Sequence, residues 1–147
     1  MYHHTQVGRV TLIALATGMA VLGGLLVLIR EPAVEVLLVA LLGVLALTAL
    51  CFSTLTVTVD GRSVTARFGP GLIRRRIELG KVRAVWPVRN LWWYGWGIHW
   101  TPHGWLWNVS GLDAVEIDLA DGRCFRIGTD EPDALAESIE SALQASG

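Results

Sequence analysis

The sequence predicts a membrane-anchored α+β protein: a two-helix transmembrane hairpin, then a small antiparallel β-barrel or sandwich of seven or eight strands closed by a C-terminal helix. Three observations carry this expectation. Two apolar runs of 20 residues fill most of the first third of the chain. From Thr54 onward, apolar and polar residues alternate with the period of two that marks half-buried strands. After Thr129 the apolar spacing changes to every fourth residue, the stripe of an amphipathic helix. Composition agrees, because only 17% of the 147 residues are charged and 52% are hydrophobic, whereas soluble domains carry about 25% charged residues. A net charge of −1 excludes a strongly basic nucleic-acid binder, and two cysteines are too few for a disulfide scaffold.

Residues 10–29 (VTLIALATGMAVLGGLLVLI) contain no charge. As a helix rising ~1.5 Å per residue they cross the ~30 Å hydrocarbon core of a bilayer. Residues 33–52 form the second run, with one charge, Glu35, in the first turn, where it faces the positive end of the helix. A cleaved signal peptide is the alternative for the first run. The run exceeds the ~7–15 residues of a signal core, and Leu28, Ile29, Arg30 and Glu31 offer no small-residue cleavage site. Pro32 cannot extend the first helix but suits the first turn of the second, so Arg30, Glu31 and Pro32 make a tight hairpin loop. Gly18, Gly43 and Ala46 give the helices narrow faces for close packing, against a membrane-protein partner or a second copy. Two spans leave both termini on one side. The basic stretch from Arg62 to Arg83 places that side in the cytoplasm. The expected organisation is a cytoplasmic N-terminus (1–9) with His3 and His4 solvated, the hairpin (10–53), and a cytoplasmic domain (54–147).

Within that domain Leu55, Val57 and Val59 alternate with threonines, Asp60-Gly61 turns the chain, and Val64, Ala66 and Phe68 alternate on return: a β-hairpin. Gly69-Pro70-Gly71 turns into a strand over 72–77, and residues 82–88 read as a further strand closed by Pro87. Residues 98–101 and 105–109 flank the turn Pro102-His103-Gly104. Val115, Ile117 and Leu119 alternate with polar residues before Asp121-Gly122 turns into 123–127. Thr129-Asp130-Glu131-Pro132 then reads as a helix start, with Leu135, Ile139 and Leu143 four apart.

Residues 55–144 resemble the bacterial pleckstrin-homology-like domains. The matching segments are the hairpin LTVTVDGRSVTARFG, the following IELGKVRAV, the block GWGI…GWLWNVSGLDAVEIDLADGR, and the closing RIGTDEPDAL. The resemblance implies that fold and a place in the bacterial inner membrane, since relatives carry short N-terminal spans. Eukaryotic members of the family bind phosphoinositides through basic residues around the first hairpin loop. Here that loop is only Asp60-Gly61-Arg62, too short for such a site.

No catalytic pattern is present: no phosphate-binding loop, dinucleotide fingerprint, GxSxG or CxxC. Neither enzymatic activity nor a cofactor is expected. No metal site is expected either, because His99 and His103 straddle a strand end and a turn rather than one helix face. Charge is segregated, with a net +6 over residues 1–90 and −7 over 91–147. Arg74, Arg75 and Arg76 follow a turn expected close to the bilayer, where each basic residue contributes ~1 kcal/mol against an anionic leaflet. All seven tryptophans fall between positions 86 and 107. Alternation assigns Trp105 and Trp107 to one strand face. Trp92, Trp93, Tyr94 and Trp96 occupy a loop suited to the membrane interface or a protein contact, with a local aromatic core and a hydrophobic pocket as alternatives. The sequence thus points to a binding or assembly module whose partners are the lipid bilayer and a membrane protein or itself.

Overall fold

The apolar runs form two helices, α1 (Arg9–Leu28) and α2 (Pro32–Phe52), in a computed structural model that describes residues 1–146. Both are long and apolar enough to cross a membrane. Pro32 opens α2, where a missing N–H costs nothing. The two helices lie against each other through Leu38, Leu42, Leu45 and Ala49 of α2, and Leu38 is buried there. Their remaining surface is an apolar exterior.

Nine strands are formed: β1 (Tyr2–Val7), β2 (Thr54–Val59), β3 (Ser63–Phe68), β4 (Ile73–Glu78), β5 (Val82–Arg89), β6 (Gly97–Thr101), β7 (Gly104–Asn108), β8 (Asp113–Leu119) and β9 (Cys124–Gly128). They make two sheets, a four-stranded meander β1-β2-β3-β4 and a five-stranded sheet β5-β8-β9-β7-β6. No ladder joins the sheets among the described residues, so a closed barrel is not formed and the class is α+β. In the second sheet every pairing is antiparallel except β7 with β9. Pro87 lies inside β5 rather than ending it. Among the described residues that strand pairs only with β8, and an edge strand tolerates a residue without an N–H.

The ninth strand is the difference from expectation. Residues 2–7 are no solvated tail: Tyr2 to Val7 pair residue by residue with Val59 to Thr54. The segment YHHTQV has no apolar alternation of its own, and β2 supplies its register. Thr5 and Thr56 hydroxyls meet at 2.9 Å, Gln6 donates to the Ser110 carbonyl, and the His4 ring lies 2.6 Å from the Asp130 carboxylate.

The core lies between the sheets. Phe52 at the end of α2, Phe68, Trp107 and Phe125 form a continuous aromatic row with ring centroids 5.2, 5.3 and 5.6 Å apart. Each such pair adds ~0.5–1.5 kcal/mol beyond area burial, and the row carries the core into the base of the helical hairpin. The last helix, α3 (Pro132–Ser146), follows a turn in which the Thr129 hydroxyl accepts from the Glu131 N–H at 3.1 Å. It buries Leu135, Ala136 and Ile139 against β2, β5 and β8.

The junction with the helices is tight. The Gly8 N–H donates to the Ser53 carbonyl at 2.7 Å, and the Thr11 hydroxyl donates to the Val109 carbonyl at 3.1 Å. Gly69 turns at φ +46°, and any side chain there would run into the carbonyls of Leu50 and Cys51. The turn from β3 to β4 therefore rests on the end of α2.

Candidate functional site

The aromatic segment between β5 and β6 is held by bonds from distant parts of the chain. The Asn90 N–H donates to the Leu112 carbonyl at 2.7 Å. Its side-chain oxygen accepts from Arg126 at 3.1 Å, and Arg126 in turn donates through Nε to Glu116 at 2.5 Å. Glu116 and Arg126 are cross-strand neighbours on β8 and β9, both buried, on the sheet face opposite Ile117 and Phe125. A buried ion pair of this kind is a placement device more than a source of net stability.

After Asn90, residues 92–94 form one turn of 3₁₀ helix, with Tyr94 N–H donating to Leu91. Gly95 and Gly97 then adopt φ +70° and +111°, which only glycine takes without strain. They leave room for the His99 ring, whose Nε2 lies 2.5 Å from the Trp96 carbonyl. Trp96 itself donates through its indole N–H to the Gly111 carbonyl at 3.2 Å. A segment pinned at Asn90, Trp96 and His99 nevertheless leaves Trp92 73% and Trp93 61% exposed. The two rings meet edge-on at 5.8 Å, and Trp93 meets Tyr94 the same way. On the other flank Trp96, with Thr11, Thr48 and Phe52, lines a crevice of about 290 Å³ at the base of the hairpin.

The seven tryptophans thus divide. Trp107 belongs to the core, Trp100 and Trp105 form an edge-on cross-strand pair, and Trp86 stands opposite Glu116. Trp92, Trp93 and Trp96 are the exposed tryptophans of the segment, and Trp96 is the one that borders the helices.

The three arginines of β4 do not make one patch. Arg74 and Arg76 share the outward face, where Arg74 is paired in register with Arg67 and Arg76 donates to the Ser63 hydroxyl at 3.0 Å. Arg75 shares the opposite face with Ile73 and Ile77, and its guanidinium carbon lies 5.1 Å from the centre of the Phe125 ring. The small residues of the helices divide likewise. Gly18 faces Leu45 of α2, while Gly43 and Ala46 lie on the exposed outer side of α2 and do not meet Gly18.

The Asn90–Arg126–Glu116 network had no signature in the sequence, since a glutamate and an arginine ten residues apart read as solvated strand positions. Cys51 and Cys124 are free thiols, and burial pushes the Cys124 thiol up, with Glu116 and Asp118 adding to the effect. A thiol held protonated is a poor nucleophile. Comparison with known proteins returned no match, whether to a family model, a curated protein or a solved structure.

Proposed function

We propose that the chain is a non-catalytic binding or assembly module of the bacterial inner membrane. The helical hairpin anchors it, with both termini in the cytoplasm, and a pleckstrin-homology-like domain carries the contact surface. That surface is the platform of Trp92, Trp93, Tyr94 and Trp96, which meets a membrane-protein partner or the lipid interface, while Arg74 and Arg76 face anionic headgroups. One observation carries the reading: two tryptophans stand mostly exposed on a segment fixed by buried, long-range bonds, beside the ends of two membrane-length helices. Rigid aromatic anchors lose little entropy on contact, which suits both interfacial belts and protein hot spots.

The test is extraction from native membranes in mild detergent, with mass spectrometry of what co-elutes in stoichiometric amount. The wild type is compared with a variant carrying Trp92→Ser, Trp93→Ser and Trp96→Ser. Loss of a defined partner or of bound lipid in the variant supports the platform; unchanged association overturns it. A second reading has its own observation, the outward-facing Gly43 and Ala46 of α2. In it the hairpin binds a larger membrane complex, or a second copy, through that narrow face. Gly43→Leu with Ala46→Leu then releases the partner and leaves the tryptophan variant without effect.

A further inference from the structure

A second recess lies away from the tryptophan platform, at the open side of the sandwich between β4, β7 and the turn from β8 to β9. Its volume is about 520 Å³, and its walls include Arg75, Trp100, Trp105, Phe125, Arg123 and His103. Arg75 also borders an adjoining recess of about 420 Å³. The carboxylates that line the adjoining recess are already engaged, Asp121 by Arg123 at 2.5 Å and Glu78 by Lys81 at 2.9 Å, while Asp118 and Glu116 lie on the sheet face opposite Phe125. Among the described residues Arg75 forms no ion pair, although it is only partly exposed. A partly desolvated cation without a counter-charge is unfavourable. With one face of the guanidinium over Phe125, the N–H groups along its edge remain free for the forked bonding that suits a phosphate or carboxylate. Beside it, Trp100 and Trp105 present an apolar wall, 68% and 41% exposed, on the same side of their sheet as the buried Trp107.

We propose that this cleft binds an amphiphilic anion, with its phosphate or carboxylate group on Arg75 and its apolar body against Trp100 and Trp105. Such a molecule comes from one of two sources, an anionic lipid of the bilayer or a soluble organic phosphate or carboxylate. The site is independent of the platform proposed above.

The full chain, reconstituted in phosphatidylcholine nanodiscs, is titrated by calorimetry with hexyl phosphate, inorganic phosphate and hexanol. Hexyl phosphate should bind saturably, and about ten-fold more tightly than either fragment, because only it satisfies both the cation and the aromatic wall. Arg75→Met keeps the apolar stem and should weaken binding about ten-fold, the scale of one charge-assisted bond. Trp100→Thr, on an exposed edge-strand position, should weaken it by a smaller factor, and Arg74→Gln on the outward face should leave it unchanged. Repetition in nanodiscs containing phosphatidylglycerol, at high salt to screen surface potential, separates the sources. Competition by the lipid identifies a bilayer ligand, and equal binding in both discs identifies a soluble one. No saturable binding of hexyl phosphate in either disc overturns the proposal. So does binding that is unchanged in both Arg75→Met and Trp100→Thr.

Discussion

Two connecting segments of the domain, residues 60–63 and residues 90–97, are both ordered, but by opposite means. In the first, Asp60 accepts from the N–H groups of Arg62 and Ser63 at 2.7 Å and from the Ser63 hydroxyl at 3.0 Å, so one carboxylate within the turn organises it, with Arg76 and Leu79 adding one bond each from the neighbouring strand and its end. In the second, local bonds from His99 and Tyr94 are joined by anchors far along the chain, at Leu112, Gly111 and the Arg126–Glu116 pair. A local turn needs only to redirect two strands. A platform that holds large apolar rings in solvent needs support from outside itself, because its own residues would otherwise collapse onto one another or onto the sheet. The contrast separates a connection from a surface.

The strongest way to break this contrast is Arg126→Met. It strands Glu116 without a partner in a buried site and should lower stability by about 3–5 kcal/mol, read as thermal unfolding of the full chain in detergent. Pairing it with Glu116→Leu should restore most of the stability, while residues 90–97 remain loosened in hydrogen exchange. Recovery of both together would mean that the network supports stability alone and not the platform. Next in size, His99→Ala removes the bond to the Trp96 carbonyl, at about 1 kcal/mol. Amide exchange should quicken over 92–97 and stay unchanged over 60–63. Asp60→Ala should have a still smaller effect, confined to the β2–β3 turn. Hydrogen bonds from Arg62 and Ser63 hold the Asp60 carboxyl below its usual value of 3.8. Its contribution is therefore present above that value and lost as pH falls, and the gap between wild type and variant should close in acid. At neutral pH the smallest effect is at β1, another element ordered from afar. Burial, reinforced by Glu131, pushes the Tyr2 hydroxyl up to about 12. The folded state thus keeps a proton that the unfolded chain loses near pH 10, so stability falls as pH rises between the two. Tyr2→Phe should flatten that fall.

The same distinction governs what was legible in the sequence. Both helices and eight strands were marked by local pattern: an apolar length for α1 and α2, alternation for Leu55 to Phe68, a helix start at Thr129. The strand β1 was not, because YHHTQV has no periodicity and its partner lies about 50 residues on, across both apolar helices. For the arginines the signal was partly there. In Ile73-Arg74-Arg75-Arg76-Ile77, period two already sets Arg75 on the side of the two isoleucines, but that Phe125 of the other sheet stands opposite could not be read from one strand. The tryptophan cluster was conspicuous, yet its division into core, cross-strand pair and platform depends on sheet pairing and on a buried charge network with no sequence mark.

The ladder between β1 and β2 also bears on how the protein is made. Tyr2 precedes both apolar helices, Val59 follows them, and the two residues are partners in one sheet. If both helices span a membrane, the first strand has to wait, unpaired, while both apolar segments are synthesised and inserted. If only one helix crossed the bilayer, β1 and β2 would be on opposite sides and the sheet would lack its first strand. For a chain with two spans, completion of the meander would therefore work as a check on biogenesis, since the domain would close only around a hairpin that had entered and returned. Reversing either span would then require six residues of strand pairing to come apart first.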